Sequence, residues 1–155
     1  MGLLAAALYD PGTAVTKATT AGLAMTALDT TNLRLTFTVP ASGRVMVQMA
    51  GVTHGGNATP WHPQILFGVL QGTTVIARVP ASGHAQGSVQ AITTFLNVQG
   101  QFTVPNLTPS ASLTWDAAYG VETIAPGSAI KYGGPNDGTV NTAFGGFRYE
   151  VWDVT

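Results

Sequence analysis

Residues 33–39 read LRLTFTV, and their apolar and polar side chains alternate strictly. Alternation with a period of two predicts a β-strand that buries one face and exposes the other. Residues 40–43 read PASG, a combination of residue types that is typical of a turn. The alternation resumes at Val45, Val47 and Met49. This stretch therefore predicts a β-hairpin over residues 33–50.

The same pattern continues through most of the chain, and no stretch shows a helical period of 3.6 residues. Further strands are predicted at 65–70, at 73–79 after a Gln71-Gly72 turn, at 91–105 with a bend at Gly100, at 113–119 and at 144–154. Gly and Pro separate these segments at nearly regular intervals. The sequence predicts an all-β, jelly-roll sandwich of about eight to ten antiparallel strands.

Composition bounds the class of protein. The chain has 155 residues, enough for one domain with one core. Only 8% of the residues are charged, against about 25% in a typical protein. The net charge of −1 argues against a nucleic-acid partner, and no apolar run reaches the length of a membrane span, about 18 residues. With no cysteine, thiol chemistry and disulfides are excluded.

The low charge itself favours an assembly. A free monomer usually keeps a more charged surface for solubility. A surface rich in Thr, Gly, Ala and Gln suits a protein that contacts other copies or partners. The alternative is that low charge is a general feature of the protein's lineage, or of a secreted protein, and is unrelated to assembly. Residues 1–28 are predicted to be an N-terminal arm with a first short strand, and residues 29–155 the jelly-roll domain. The apolar run 2–8 is too short, and lacks the basic flank, for a secretory signal.

Two motifs resemble a known fold family. Residues 143–149, AFGGFRY, are similar to the closing strand of TNF-like jelly rolls, in particular the globular head of the first complement component. Residues 107–115 are similar to the segment that leads into another of its strands, with Ser110-Ala111-Ser112 where the family has Gly-Asp. The resemblance implies a TNF-like homotrimer whose aromatic faces meet around a threefold axis. The implied interface residues are Trp115, Tyr119, Phe147 and Tyr149, and the alternative is that they fill the sandwich of a single chain.

A second resemblance covers nearly the whole chain. The runs YDP at 9–11, DTTNL at 29–33, FTVPASG at 37–43, LTWDAAYGV at 113–121 and KYGGPND at 131–137 resemble small β-rich virion proteins of tailed phages that infect actinobacteria. Such proteins are labelled head decoration or minor tail proteins. The resemblance implies a trimeric, non-enzymatic decoration protein on the capsid exterior, with the major capsid protein or tail proteins as partners. The alternative is a minor tail protein or a module that binds a host cell-wall glycan.

Few residues are candidates for catalysis or for binding a ligand. His54, Trp61 and His62 share a Gly- and Pro-rich loop, where an exposed aromatic ring can stack on a sugar or a partner protein. The alternative is that Trp61 folds back and caps the sandwich. The histidine spacing does not fit a metal site, so no metal or cofactor is expected. The sequence contains no serine nucleophile elbow, no phosphate-binding loop and no pair of carboxylates suited to glycoside hydrolysis. Arg148 and Glu150 are two residues apart on one predicted strand, and their simplest role is to form an ion pair with each other. We therefore predict no catalytic residues.

Overall fold

The computed structural model describes residues 1–19, 22–54, 64–81, 95–122, 124, 127–134 and 143–155. These residues form eleven β-strands and no helix, which confirms the all-β prediction. The strands are β1 (Leu3–Tyr9), β2 (Val15–Ala18), β3 (Thr26–Ala27), β4 (Arg34–Thr38), β5 (Val45–His54), β6 (Ile65–Gln71), β7 (Thr74–Pro80), β8 (Phe95–Val104), β9 (Ser112–Val121), β10 (Ala129–Tyr132) and β11 (Phe147–Asp153). Since the described residues hold no helix, none of them forms a helical membrane span.

The strands form two antiparallel sheets that pack into a sandwich. The six-stranded sheet runs β1-β11-β5-β8, and β10 with β2 extends it beside the second half of β5. The five-stranded sheet runs β4-β9-β6-β7, with β3 beside the far half of β9. The eight longest strands are thus divided between the two sheets in the order that defines a jelly roll. The last strand lies inside its sheet, between β1 and β5.

Alternating side chains from both sheets fill one core. Phe37 and Trp115 meet edge to face at 4.9 Å between ring centroids, and Phe67 meets Phe147 in the same way at 5.6 Å. The aliphatic residues between them include Val47, which is fully buried. Each buried side chain of this kind contributes about 1.5–3 kcal/mol to folding. The core therefore holds the two sheets together without any disulfide.

The predicted hairpin over 33–50 is wrong. Strand β4 pairs with β9 in the five-stranded sheet, whereas β5 pairs with β8, β10 and β11 in the other sheet. The turn at 40–43 is therefore a crossover between sheets, closed by the Gly43 N–H, which donates to the Pro40 carbonyl at 3.0 Å. Alternation shows which face of a strand is buried but does not specify its partner.

The first 28 residues are not a separate arm, which corrects the predicted division of the chain. Strand β1 pairs with β11 from Leu3 to Tyr9, β2 pairs with β10, and β3 pairs with β9. Leu28 is part of the core. The segment belongs to the sandwich because its strands bury alternate residues, such as Ala7, against the other sheet.

Two buried tyrosines differ in whether the hydroxyl group forms a hydrogen bond. The Tyr119 hydroxyl donates to the Ala18 carbonyl at 3.0 Å. The Tyr132 hydroxyl is buried without a hydrogen-bond partner in the described part of the chain. Burial raises the pKa of both phenols, so both groups stay protonated at neutral pH. A buried polar group without a partner destabilises the folded state.

We expect Tyr132→Phe to raise the free energy of unfolding by about 1 kcal/mol, because it removes an unsatisfied hydroxyl. Tyr119→Phe is the matched control and should lower it by about 1 kcal/mol, because it removes a satisfied one. Urea denaturation of the two variants measures both values. Equal destabilisation by the two substitutions would show that the Tyr132 hydroxyl has a partner.

Candidate functional site

The outer face of the six-stranded sheet is neutral and rich in amides. Gln99 and Gln101 on β8 lie opposite Ala50 and Gln48 on β5, and all four side chains point away from the core. The Gln48 side-chain N–H donates to the Gln101 amide oxygen at 2.9 Å. This alternation follows from the sequence, in which polar residues occupy every second position of β8. The face offers hydrogen-bond donors and acceptors without charge.

A groove of about 290 Å³ lies on this face, beside β8. It forms where two short strands share one side of β5: β11 pairs with β5 up to Ala50, and β10 pairs with it from Val52 onward. The loop 143–146, which leads into β11, lies over this junction. The lining residues are Ala50, Gly51, Val52, Asn97, Val98, Gln99, Phe144 and Gly146. Phe144 and the amides of β8 thus border one concave site.

Glycines hold the loop that carries Phe144. The Gly133 N–H donates to the Gly145 carbonyl at 2.7 Å, and the Phe144 N–H donates to the Gly133 carbonyl at 2.8 Å. Gly133 and Gly145 have φ angles of +75° and +73°, a region that favours glycine. Gly133 also lies against Pro11, whose carbonyl oxygen would be 2.5 Å from an added Cβ atom. The two Gly-Gly pairs in the sequence therefore hold the backbone of Phe144 in place.

None of the described residues that line this groove has an ionisable side chain. The nearest cation on the loop side is Lys131, whose Nζ lies 5.3 Å from the centroid of the Phe144 ring. On the other side, Arg148 Nε lies 3.9 Å from a Glu150 carboxylate oxygen, as the sequence predicts for this pair. Such a site can hold a ligand by hydrogen bonds and aromatic contact, and its lining supplies no acid or base for catalysis.

The outer face of the five-stranded sheet is largely covered. Met25 packs over Gly68 and Gly120, where an added Cβ atom would lie 2.7 Å and 3.1 Å from its side chain. Nearby, Arg34 binds the buried Asp116 carboxylate through two hydrogen bonds of 2.6 and 2.9 Å. The hydrogen bond to Asp116 raises the pKa of the Arg34 guanidinium. This ion pair satisfies a buried carboxylate, so it supports the fold and presents no open site.

The four aromatic residues that were predicted to form a threefold interface lie inside the sandwich. Trp115, Phe147 and Tyr149 are 0% exposed, and Tyr119 is 6% exposed. Burial raises the pKa of the Tyr149 phenol, whose hydroxyl faces the Trp115 carbonyl. The interface prediction is corrected for these side chains, because a covered side chain has no surface left for a second copy. They fill the core of their own chain, which is the alternative that the sequence left open.

The predicted surface-binding residues are only partly within the described chain. The backbone of His54 ends β5 and pairs with Ala129, while nothing is described of its side chain. Trp61 and His62 lie outside the described residues. Among the described residues, no three His, Asp or Glu side chains come together as metal ligands.

The groove itself was missed by the sequence analysis. Its two walls come from β8 and from the loop before β11, which are distant in the chain. The only signals were the exposed parity of Asn97 and Gln99 and the glycine pairs around Phe144. Comparison with known proteins adds no assignment, since no family model and no curated protein sequence matches the chain.

We expect Gly133→Ala to lower the free energy of unfolding by about 3 kcal/mol, because the methyl group meets Pro11 in addition to straining the backbone. Gly145→Ala is the matched control: its φ angle is similar but no atom lies within 4 Å of the added Cβ. It should cost only about 1 kcal/mol. Chemical denaturation compares the two, and equal costs would mean that the Pro11 contact does not hold the loop.

Proposed function

We propose that this protein is a non-enzymatic structural protein of a phage virion, a homotrimer that decorates the capsid exterior. The observation that carries the proposal is the exposed apolar edge of the six-stranded sheet. Leu3 and Leu8 on β1 are 51% and 72% exposed, and Met1 next to them is 75% exposed. Isolated apolar side chains on a surface are ordinary, but a row of them on one edge strand favours contact with a protein.

The apolar edge continues onto the outer face of the sheet. Leu3 pairs with Trp152 of β11, and Trp152 pairs with Met46 of β5, so the three side chains form one row across neighbouring strands. The Trp152 ring is fixed because its N–H donates to a Glu150 carboxylate oxygen at 3.0 Å. We call the set Leu3, Leu8 and Trp152 the β1 patch. Rigid aromatic residues are typical of subunit contacts.

Among the described strands, none pairs with the outer edge of β1. Its seven residues, LLAAALY, include no charge and no proline, which are the usual devices that keep edge strands from pairing with other chains. Contact with a second copy would cover this edge, and three copies arranged head to tail would close into a ring. Three-fold closure is the arrangement that the resemblance to TNF-like jelly rolls implies.

A trimer of this kind would act by adhesion. Its low charge, with only 13 charged residues, favours contact with a protein shell over electrostatic capture of a ligand. Three weak contacts with the major capsid protein, made together at a threefold position, would add up through multivalency. The second candidate is a minor tail protein or a host-surface glycan-binding module, and the groove beside β8 is the observation that favours it.

We expect the purified protein to have a mass in solution of about three times its chain mass of 16.0 kDa. Leu3→Glu should dissociate it, because it places a charge in the β1 patch without disturbing the core. Val75→Glu is the matched control, since Val75 is 42% exposed on β7, a strand at the edge of the other sheet. Light scattering after size-exclusion chromatography measures each mass. A stable 16.0 kDa species at micromolar concentration, or dissociation by the control alone, would contradict the proposed contact.

A further inference from the structure

We infer that the groove beside β8 is a binding site for a neutral saccharide, with Asn97, Gln99 and Phe144 as its contact residues. This site is distinct from the predicted loop around Trp61. The groove is formed by β5, β8 and the loop before β11, and none of its three contact residues belongs to the β1 patch.

The two amides provide the polar contacts. Asn97 and Gln99 are two residues apart on β8, and both side chains are exposed on the same face. Their spacing along the strand is about 6.7 Å. An amide side chain carries both N–H donors and a carbonyl acceptor, and these match the hydroxyl groups of a sugar, which are themselves donors and acceptors. A neutral hydroxyl needs no charged partner, and the described lining residues carry no charge.

The Phe144 ring provides the apolar contact. It forms the wall opposite the two amides and is half-buried, so part of its surface lines the groove. The C–H face of a sugar ring packs well on an aromatic ring, and a ring that is already fixed loses little entropy on binding. The backbone hydrogen bonds between Phe144, Gly133 and Gly145 and the Lys131 ammonium over the ring provide this fixation.

The shape of the groove fits a small ligand. Its floor is made by β5, where Ala50 and Gly51 leave room above the sheet. A second hollow of about 100 Å³ adjoins it along β8 and is lined by Gln48, Gln101 and Arg148 among others. Gln99 borders both hollows. The amides therefore continue beyond the first sugar ring, so a short oligosaccharide would find further hydrogen-bonding groups.

The two described cations at the rim, Lys131 and Arg148, do not line the groove. Lys131 contacts Phe144 and lies 3.4 Å from the Thr16 hydroxyl, and Arg148 is next to the Glu150 carboxylate. Both cations thus have partners of their own at the rim. Binding of a neutral sugar should be insensitive to salt, because salt screens only interactions between charges.

The test is a titration of the isotope-labelled full-length protein with D-glucose, D-galactose, D-mannose, L-arabinose and N-acetyl-D-glucosamine, followed by NMR. At roughly tens of millimolar sugar, at least one of the five should shift the side-chain amide signals of Asn97 and Gln99 and the ring signals of Phe144. The side-chain amides of Asn32 and Gln64 serve as internal controls, because they bind Asp29 and the Ala81 carbonyl far from the groove.

Variants then test the individual contacts. Asn97→Ala and Phe144→Leu should each weaken binding of the responding sugar about fivefold. Asn32→Ala, which removes an exposed amide elsewhere, should leave the affinity unchanged. Backbone spectra confirm that each variant is folded. Solution mass reports on the trimer independently, so the two proposals can fail separately.

Three results would overturn the inference. The first is that none of the five sugars shifts the Asn97 and Gln99 amides. The second is that the Asn32 and Gln64 amides shift to the same extent, which would indicate nonspecific solvent effects. Loss of binding in high salt would also contradict it, since that behaviour belongs to an anionic ligand held by Lys131 or Arg148.

Discussion

The structure depends on the pairing of one long strand, β5. All ten of its residues pair with β8 on one side. On the other side it pairs with β11 over Val45–Ala50 and with β10 over Val52–His54. The core residues of β5 face the other sheet, and its outward residues form the floor of the groove. The sandwich and the candidate site therefore rest on the same hydrogen-bonded strand, and a change of its register would reverse which side chains are buried.

The two outer faces of the sandwich differ because of the first 28 residues. Met25, just before β3, lies above Gly68 and Gly120 on the outer face of the five-stranded sheet. On the six-stranded sheet, by contrast, β1 adds an apolar edge with exposed Leu3 and Leu8. The same segment thus closes one face and gives the other a surface for contact. Both proposals, the subunit contact and the saccharide groove, lie on the six-stranded sheet for this reason.

Much of the fold could be predicted from alternation alone. The strand after Gln71 does pair with the strand before it, and a long strand exists over the described residues 95–104, where its pairing with β5 continues across Gly100 without a register shift. Strand partners could not be predicted, because in a jelly roll they come from distant parts of the chain. The orientation of Trp115 could not be predicted from the sequence either. An aromatic residue in an alternating strand can face the core or a partner, and only the packing of the second sheet decides which.

The central claim is that the protein is part of a virion and lies on its capsid. Immunogold electron microscopy of intact particles, with an antibody to this protein, tests it most directly. The account predicts label over the heads of the particles. Label confined to the tail tip, or purified particles without label, would contradict it.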